Sequence, residues 1–366
     1  MAGRKGKRVA LLVLAAGVAV LGVAVYAGRD LLIEEWYLYR LRSEDEAVRR
    51  EAVEHLGDLR SARAVPRLIA LAVEEAEVHR TTDPSREGFQ DIQATLIKIG
   101  SRGITGLVGA FQSSEPAARS FALSTLRGLG PEAEGAAPAL VADLALATSG
   151  WNETRSIEAT LVSIGRGALR ALLDTFQQFD HIASFLARRT TALKIDPTAD
   201  TAIAERAVPS LLGALDEDGV ERRTDALRAL GTLGPAAAKA VPRLLDVLEK
   251  DDAPTKFEAA SALGKIGAPA APGLFDLLRR TDQDPTLIFV ALIEIQQKHG
   301  GVLAPSIQGL EDANPRFAAN CASLIAALGT SGVDASAAIP ALLAARGSGS
   351  SLLRKAVQET LRSLGR

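Results

Sequence analysis

The chain has 366 residues, 47% of them hydrophobic, 23% charged and 4% aromatic, with one cysteine, four histidines and a formal net charge of −2. One cysteine excludes an internal disulfide, and a charge this close to zero excludes the strongly basic class of nucleic-acid binders. A length well beyond the usual single core implies either several domains or an array of repeated units.

The first segment, MAGRKGKR (1–8), carries Arg4, Lys5, Lys7 and Arg8, and the nineteen residues that follow it, 9–27, hold no charge. At about 1.5 Å per residue a helix of that length approaches the hydrocarbon thickness of a bilayer. Arg29, Asp30, Glu34 and Glu35 lie beyond it. The excess of basic residues on the near side predicts a basic cytoplasmic flank at 1–8, a transmembrane anchor (or uncleaved signal) at 9–28, and everything from Ser43 onward outside the cytoplasm. The rival is a signal peptide cut after Val25-Tyr26-Ala27, which would leave a secreted protein. The apolar run exceeds the ~7–15 residues usual for a signal core, which favours the anchor.

Residues 29–44 form the juxtamembrane first helix, with Trp36, Tyr37 and Tyr39 bunched together. Those aromatics fit a belt at a membrane surface. Leu31, Leu32, Leu38 and Leu41 at helical spacing instead predict that this helix packs inward as the start of the first repeat, and that is the expected arrangement.

From residue 45 to 366 the chain repeats itself, most clearly at 220–252 and 253–282. Gly231 and Gly264 are 33 residues apart, as are Gly234 and Gly267. A fixed period of that size marks a stacked array of two-helix units. Val241, Leu244, Leu245 and Leu248 make an i, i+3, i+4, i+7 apolar stripe, and so, in outline, do Val220, Leu227 and Leu230, with Ala226 and Ala229 small enough for a neighbour to come close. Glycine ends the helix before each Pro-led one, as a left-handed cap, at Gly100, Gly130, Gly165, Gly234, Gly267, Gly300 and Gly329, with Asp196-Pro197 filling the slot between Gly165 and Gly234. The expected fold is all-α: a solenoid of about nine helical pairs plus a closing half-repeat, preceded by one N-terminal transmembrane helix. Glu77 to Gly88 and Ala345 to Ser351 are the candidate hinges.

An acid followed four residues later by a base recurs as Asp45 and Arg49, Glu115 and Arg119, Asp218 and Arg222, Asp252 and Lys256, and Asp312 and Arg316. At a helix start the acid meets the positive end of the macrodipole and pairs with the base one turn on. Units near 86–114, 152–179 and 283–313 lack this turn and are expected to be degenerate filler, the alternative being places where the surface is adapted to a partner. The run A-V-P-R-L-L-D-V-L (240–248), an acidic turn, a base, and A-x-x-A-L-G-x-h-G together resemble the HEAT repeat family, particularly its phycobilisome-lyase-like branch. Pro66, Pro138, Pro209, Pro242 and Pro340 match the family's proline slot.

Candidate chemistry is sparse. His55, His79, His181 and His299 have no second histidine at i+3 or i+4, and no residue set has metal-ligand spacing. None is followed by Glu, unlike the iron-binding dipeptides of the HEAT-like deoxyhypusine hydroxylases that the resemblance brings to mind. Cys321 sits among Ala318, Ala319, Ala322 and Leu324 and is expected as a buried structural thiol. Acidic turns such as Asp216 to Glu221 lack the ligand order of a calcium loop. Setting aside the four basic residues of the flank takes the net charge of −2 to about −6 for the array, with no basic stripe for nucleic acid. No catalytic residue, cofactor, metal or small-molecule ligand is expected. What remains is a membrane-tethered scaffold that holds a protein or peptide partner on the concave face lined by helices beginning near Arg49, Arg119, Arg222, Lys256 and Arg316. The alternative, which the resemblance implies, is an enzyme or enzyme subunit related to the phycobilin-lyase-like HEAT proteins.

Overall fold

The computed structural model describes residues 29–78, 87–146 and 151–365. The expected flank at 1–8 and span at 9–28 lie outside the described residues, as does most of the Glu77–Gly88 hinge. Among the described residues there is no strand, and no helix is long and apolar enough to cross a membrane.

A helix over residues 29–40 (α1) leads into α2 (Glu46–Asp58), α3 (Val65–Val78), α4 (Glu87–Ile99), α5 (Ile104–Phe111), α6 (Pro116–Leu129), α7 (Ala137–Leu146), α8 (Trp151–Ile164) and α9 (Arg166–Thr175). Then come α10 (Ile182–Ile195), α11 (Asp200–Ala214), α12 (Val220–Leu233), α13 (Val241–Lys250), α14 (Ala253–Ile266), α15 (Ala271–Arg280), α16 (Thr286–His299), α17 (Leu303–Gly309), α18 (Pro315–Thr330), α19 (Ile339–Ala345) and α20 (Ser351–Ser363). Taken two at a time from α2 to α19, the described helices make nine pairs, with α1 ahead of them and α20 as the half-repeat. The chain divides into two compact units, Met1–Ala171 and Leu172–Arg366. Within each, the first helix of a pair stacks on the first helix of the next: α2 on α4 and α6 on α8 in one unit, α12 on α14 and α14 on α16 in the other.

Small side chains make that stacking close. Ala226, Ala229 and Leu230 of α12 and Ala259, Ala262 and Leu263 of α14 are all buried, and a Cβ added at Gly231 would lie 3.2 Å from the Ala262 Cα. Removing such aliphatic surface from water supplies the stability that no single pair could reach alone. Of the expected stripe on α13, Val241, Leu244 and Leu248 are buried, but Leu245 is only half-buried and Val247 takes its place in the core. Leu245 instead covers Gly273, whose missing side chain leaves room for it.

The helix ends follow the expected glycines with two corrections. Gly100, Gly130, Gly165, Gly234, Gly267 and Gly300 all have positive φ. At Gly130, Gly234, Gly267 and Gly300 ψ lies between −129 and −166°, so these are not left-handed helical caps but a conformation essentially restricted to glycine, from which the chain passes into the next helix. Gly329 is not a terminus at all. Helix α18 runs on to Thr330, positive φ falls at Gly332, and the side of Gly329 is filled by Leu364. The proline slot also varies. Pro138, Pro242 and Pro340 are the second residue of their helices, as is Pro66, whereas Pro209 lies inside α11, which starts nine residues earlier at Asp200.

Helix α1 reverses half of its expected packing. Leu41 and Tyr37 are buried, Tyr37 stacking on His55 at 4.4 Å, but Leu31 and Leu32 face outward, 60% and 72% exposed. The stripe through Tyr37 and Leu41 is the one that meets α2, so the leucines at 31 and 32 fall on the other side of the helix.

Candidate functional site

The five recurring bases do not pair with the acids four residues before them. Asp45 caps α2, accepting from the Ala47 and Val48 backbone N–H groups, while Arg49 Nη1 donates to the Ser43 and Glu44 carbonyls at 3.0 and 2.9 Å. Arg222 does the same across a longer span, donating to the Phe179 and Asp180 carbonyls at 2.8 and 3.2 Å, and pairs with Glu217. Lys256 donates to the Glu249 carbonyl at 3.1 Å. Arg119 pairs with Asp143 and Glu153 and lies 4.9 Å above the Phe111 ring, and Arg316 pairs with Asp282. The side chains thus satisfy carbonyls or acids in the connection leading into their own helix or on neighbouring pairs, which ties one pair to the next.

Other polar candidates have structural partners as well. His55 stacks on Tyr37, and His181 Nδ1 accepts from the Ser184 N–H as the cap of α10. His79 lies outside the described residues. Cys321 is fully buried, and burial pushes its thiol up to about 12, well above the range in which a thiolate forms near neutrality. The acidic turns are held in ion pairs, Asp216 with Arg243 at 2.7 Å, Asp251 with Arg223 at 3.2 Å and Glu249 with Arg280 at 3.3 Å. Among the described residues no group of three or more His, Cys, Asp or Glu side chains could hold a metal ion.

One residue with no signal in the sequence pattern is Arg188. It is 2% exposed, donates to the Ser184 and Thr175 carbonyls at 3.3 and 3.1 Å, and sits 5.6 Å over the Phe176 ring. Desolvation lowers its pKa, countered by the Asp180 carboxylate at 3.7 Å. Its bonds hold the turn between α9 and α10.

A groove of about 570 Å³ lies between α6 and α8, in the unit ending at Ala171. Ser120 and Ser124 line one wall at i and i+4, and Asn152, Ser156 and Thr160 line the other at i, i+4 and i+8. Ser124 accepts from Gln93 at 3.1 Å and donates to the Phe121 carbonyl, while Thr160 donates to the Ser156 carbonyl at 2.8 Å. Arg127 is exposed at the groove and makes no ion pair among the described residues. Hydroxyls, a carboxamide and a guanidinium at helical spacing can exchange hydrogen bonds with an extended chain. Glu153, the carboxylate among the lining residues, is bound by Arg119, and the Ser124 and Ser156 hydroxyls donate to backbone carbonyls of their own helices. A second depression of about 530 Å³ lies between α15 and α17, with Pro272, Phe275 and Pro305 on its walls and Arg279 stacked 4.4 Å over Phe317. Arg119, one of the five bases expected to mark the binding face, lines the first groove, whereas the second had no signal in the sequence. One wall of the first comes from unit 152–179, which lacks the acid-base turn; the four-residue spacing of Asn152, Ser156 and Thr160 was the available signal, although Thr160 itself is buried.

Stacked two-helix units with glycine-ended first helices define a helical repeat protein. Residues 208–293 match the family described as HEAT repeats, and residues 48–74 match the PBS lyase HEAT-like repeat. No curated protein sequence matches the chain. Among solved structures it is similar to Kap121p, with 12% identity, a TM-score of 0.35, and coverage of 94% of this chain and 43% of that one. It is also similar to Kap95p, solved with RanGDP, at 14% identity and a TM-score of 0.34, covering 90% of this chain and 51% of that one. A third likeness is to the CpcE and CpcF complex of phycocyanin lyase from Nostoc sp. PCC7120, at 19% identity and a TM-score of 0.24, covering 81% and 94%. The chain therefore spans about half the length of the two larger proteins or less, and these likenesses concern the helical fold alone.

Proposed function

We propose that the chain is a membrane-tethered scaffold whose first-helix face holds a protein or peptide partner and which has no catalysis of its own. The observation that carries the reading is the α6/α8 groove, walled by Ser120, Ser124, Asn152, Ser156 and Thr160, with Arg127 at hand and Glu153 taken up by Arg119. Such a surface binds through summed polar contacts along a backbone rather than through one reactive atom. The charge-free residues 9–27 behind four basic residues supply the tether, and their asymmetry directs the repeats away from the cytoplasm.

Photo-crosslinking tests the partner reading. A crosslinking amino acid at Ser124 should capture a discrete partner from detergent-solubilised membranes, while the same group at Gln358 on α20 should not. Capture at both positions or at neither sinks the groove. Loss of function from one alanine at an exposed residue, with crosslinking intact, would put an enzyme in place of the scaffold. A reporter active only outside the cytoplasm, fused after Arg366, tests the orientation; a silent reporter on a fully expressed fusion reverses it.

A further inference from the structure

Helix α1 carries two apolar faces, and only one is used within the protein. Tyr37 and Leu41 bury against α2, and three polar ties fix that side: Arg40 to Glu51 at 2.6 Å, Arg63 to Glu35 at 2.5 Å, and the Ser61 hydroxyl to Glu34. The opposite side presents Leu32, Trp36 and Tyr39 at i, i+4 and i+7, with Leu31 at its edge, at 72%, 53%, 74% and 60% exposure. A helix held by one face and apolar on the other is poised to meet a second apolar phase.

We infer that this outward face lies in the headgroup region of a bilayer, with α1 running along the membrane surface. The inference rests on the tether reading, since residues 9–27 must hold the chain at the membrane. From Ala27 to Leu32 is five residues, which span at most about 17 Å. Whatever bilayer contains that segment therefore lies within reach of α1. Trp and Tyr are the side chains that settle at the membrane–water boundary, where a ring meets hydrocarbon and its polar tip meets water. Of the acids of α1, Glu34 is held by Ser61 on the inner side, while Glu35 and Asp30 stay exposed with their charges met by Arg63 and Arg29. Arg40 stacks 4.5 Å over the Trp36 ring, and Arg29 and Arg42 are exposed, which suits anionic headgroups. A second copy of the chain is the weaker occupant. Two aromatics at about 150–250 Å² each and two leucines, partly exposed, offer roughly 500 Å², short of the ~800 Å² per partner of a stable dimer.

Trp36 and Trp151 are the only tryptophans, so the full chain with Trp151→Phe reports on Trp36 alone. It is reconstituted into phosphatidylcholine vesicles containing phosphatidylglycerol, with lipid brominated either near the headgroup or near the methyl end of the acyl chain. The expected result is Trp36 quenching about twofold stronger by the shallow bromine than by the deep one, with protection from aqueous iodide, as interfacial tryptophans behave. Replacing Leu32, Tyr39 and Leu31 together by Ser should abolish that quenching while helicity and vesicle flotation persist. A chain that floats with the vesicles but whose Trp36 stays open to iodide overturns the interfacial face and leaves the tether. Protection from iodide without bromine quenching also overturns it, because protein rather than lipid then covers the face. A chain that does not float overturns the tether and this inference with it.

Discussion

Arg222 shows how a recurring pair of residues can be real in the sequence and different in its physics. Its charge satisfies the Phe179 and Asp180 carbonyls as well as meeting Glu217. Hydrogen bonds from a charged donor contribute about 1.5–3 kcal/mol when buried, and this side chain is 41% exposed, so Arg222→Ala should cost about 1–2 kcal/mol. Arg243→Ala, which removes an exposed pair with Asp216, should stay within about 0.5 kcal/mol. Urea midpoints of the two variants at constant slope decide between them; equal shifts would mean that the carbonyl contacts add nothing. Cys321 gives a pH test. Its thiol titrates near 12 when folded, against an ordinary value of 9.0, so above pH 9 the unfolded chain releases a proton that the native state keeps. Stability from this group is complete below pH 9 and falls as pH rises toward 12, at up to about 1.4 kcal/mol per unit. Subtracting the stability of Cys321→Ala at each pH isolates the contribution, and a flat difference would refute the burial.

At the scale of one element, the connection after α12 rests on Gly234, at φ 57° and ψ −139°. A Cβ there would meet nothing closer than the Lys265 carbonyl oxygen at 3.6 Å, so space is not the constraint. The backbone conformation is, and Gly234→Ala should cost about 1–3 kcal/mol with no change in packing. Gly213→Ala, inside α11 with open space around it and helical backbone, should be neutral or stabilising by up to about 1 kcal/mol. Thermal midpoints compare them directly; if both variants behaved alike, the glycine-only turn would not be limiting.

For the whole molecule, the equivalence of successive pairs is itself testable. Gly267, at φ 84° and ψ −140°, has nearly the backbone of Gly234, so deleting residues 235–267 joins one glycine turn to the segment that follows the next. The shortened chain should keep its helicity per residue and unfold cooperatively at a lower midpoint. Crosslinking through Ser124 should persist, because the α6/α8 groove lies in the unit ending at Ala171 and loses no residue. Circular dichroism with the crosslinking assay reads both, and loss of helical content beyond the deleted pair would show that these pairs are not interchangeable.

Much of the architecture is local, and for that reason it was legible from the residues alone. The helix pairs follow from apolar spacing at i, i+3 and i+4, the chain reversals from glycines that adopt positive φ at little cost, and the buried thiol from its alanine and leucine neighbours. Even there, Gly329 misled, because a glycine inside a helix and one just past its end have the same local sequence, and Leu364, just past the end of α20, explains its presence. The partners of Arg119, Arg222 and Arg316, the outward turn of Leu31 and Leu32, and the walls of the α6/α8 groove were decided only by tertiary structure. Each depends on how one helix is rotated and offset against another up to some forty residues away, and side-chain spacing within a single helix contains no term for that registration.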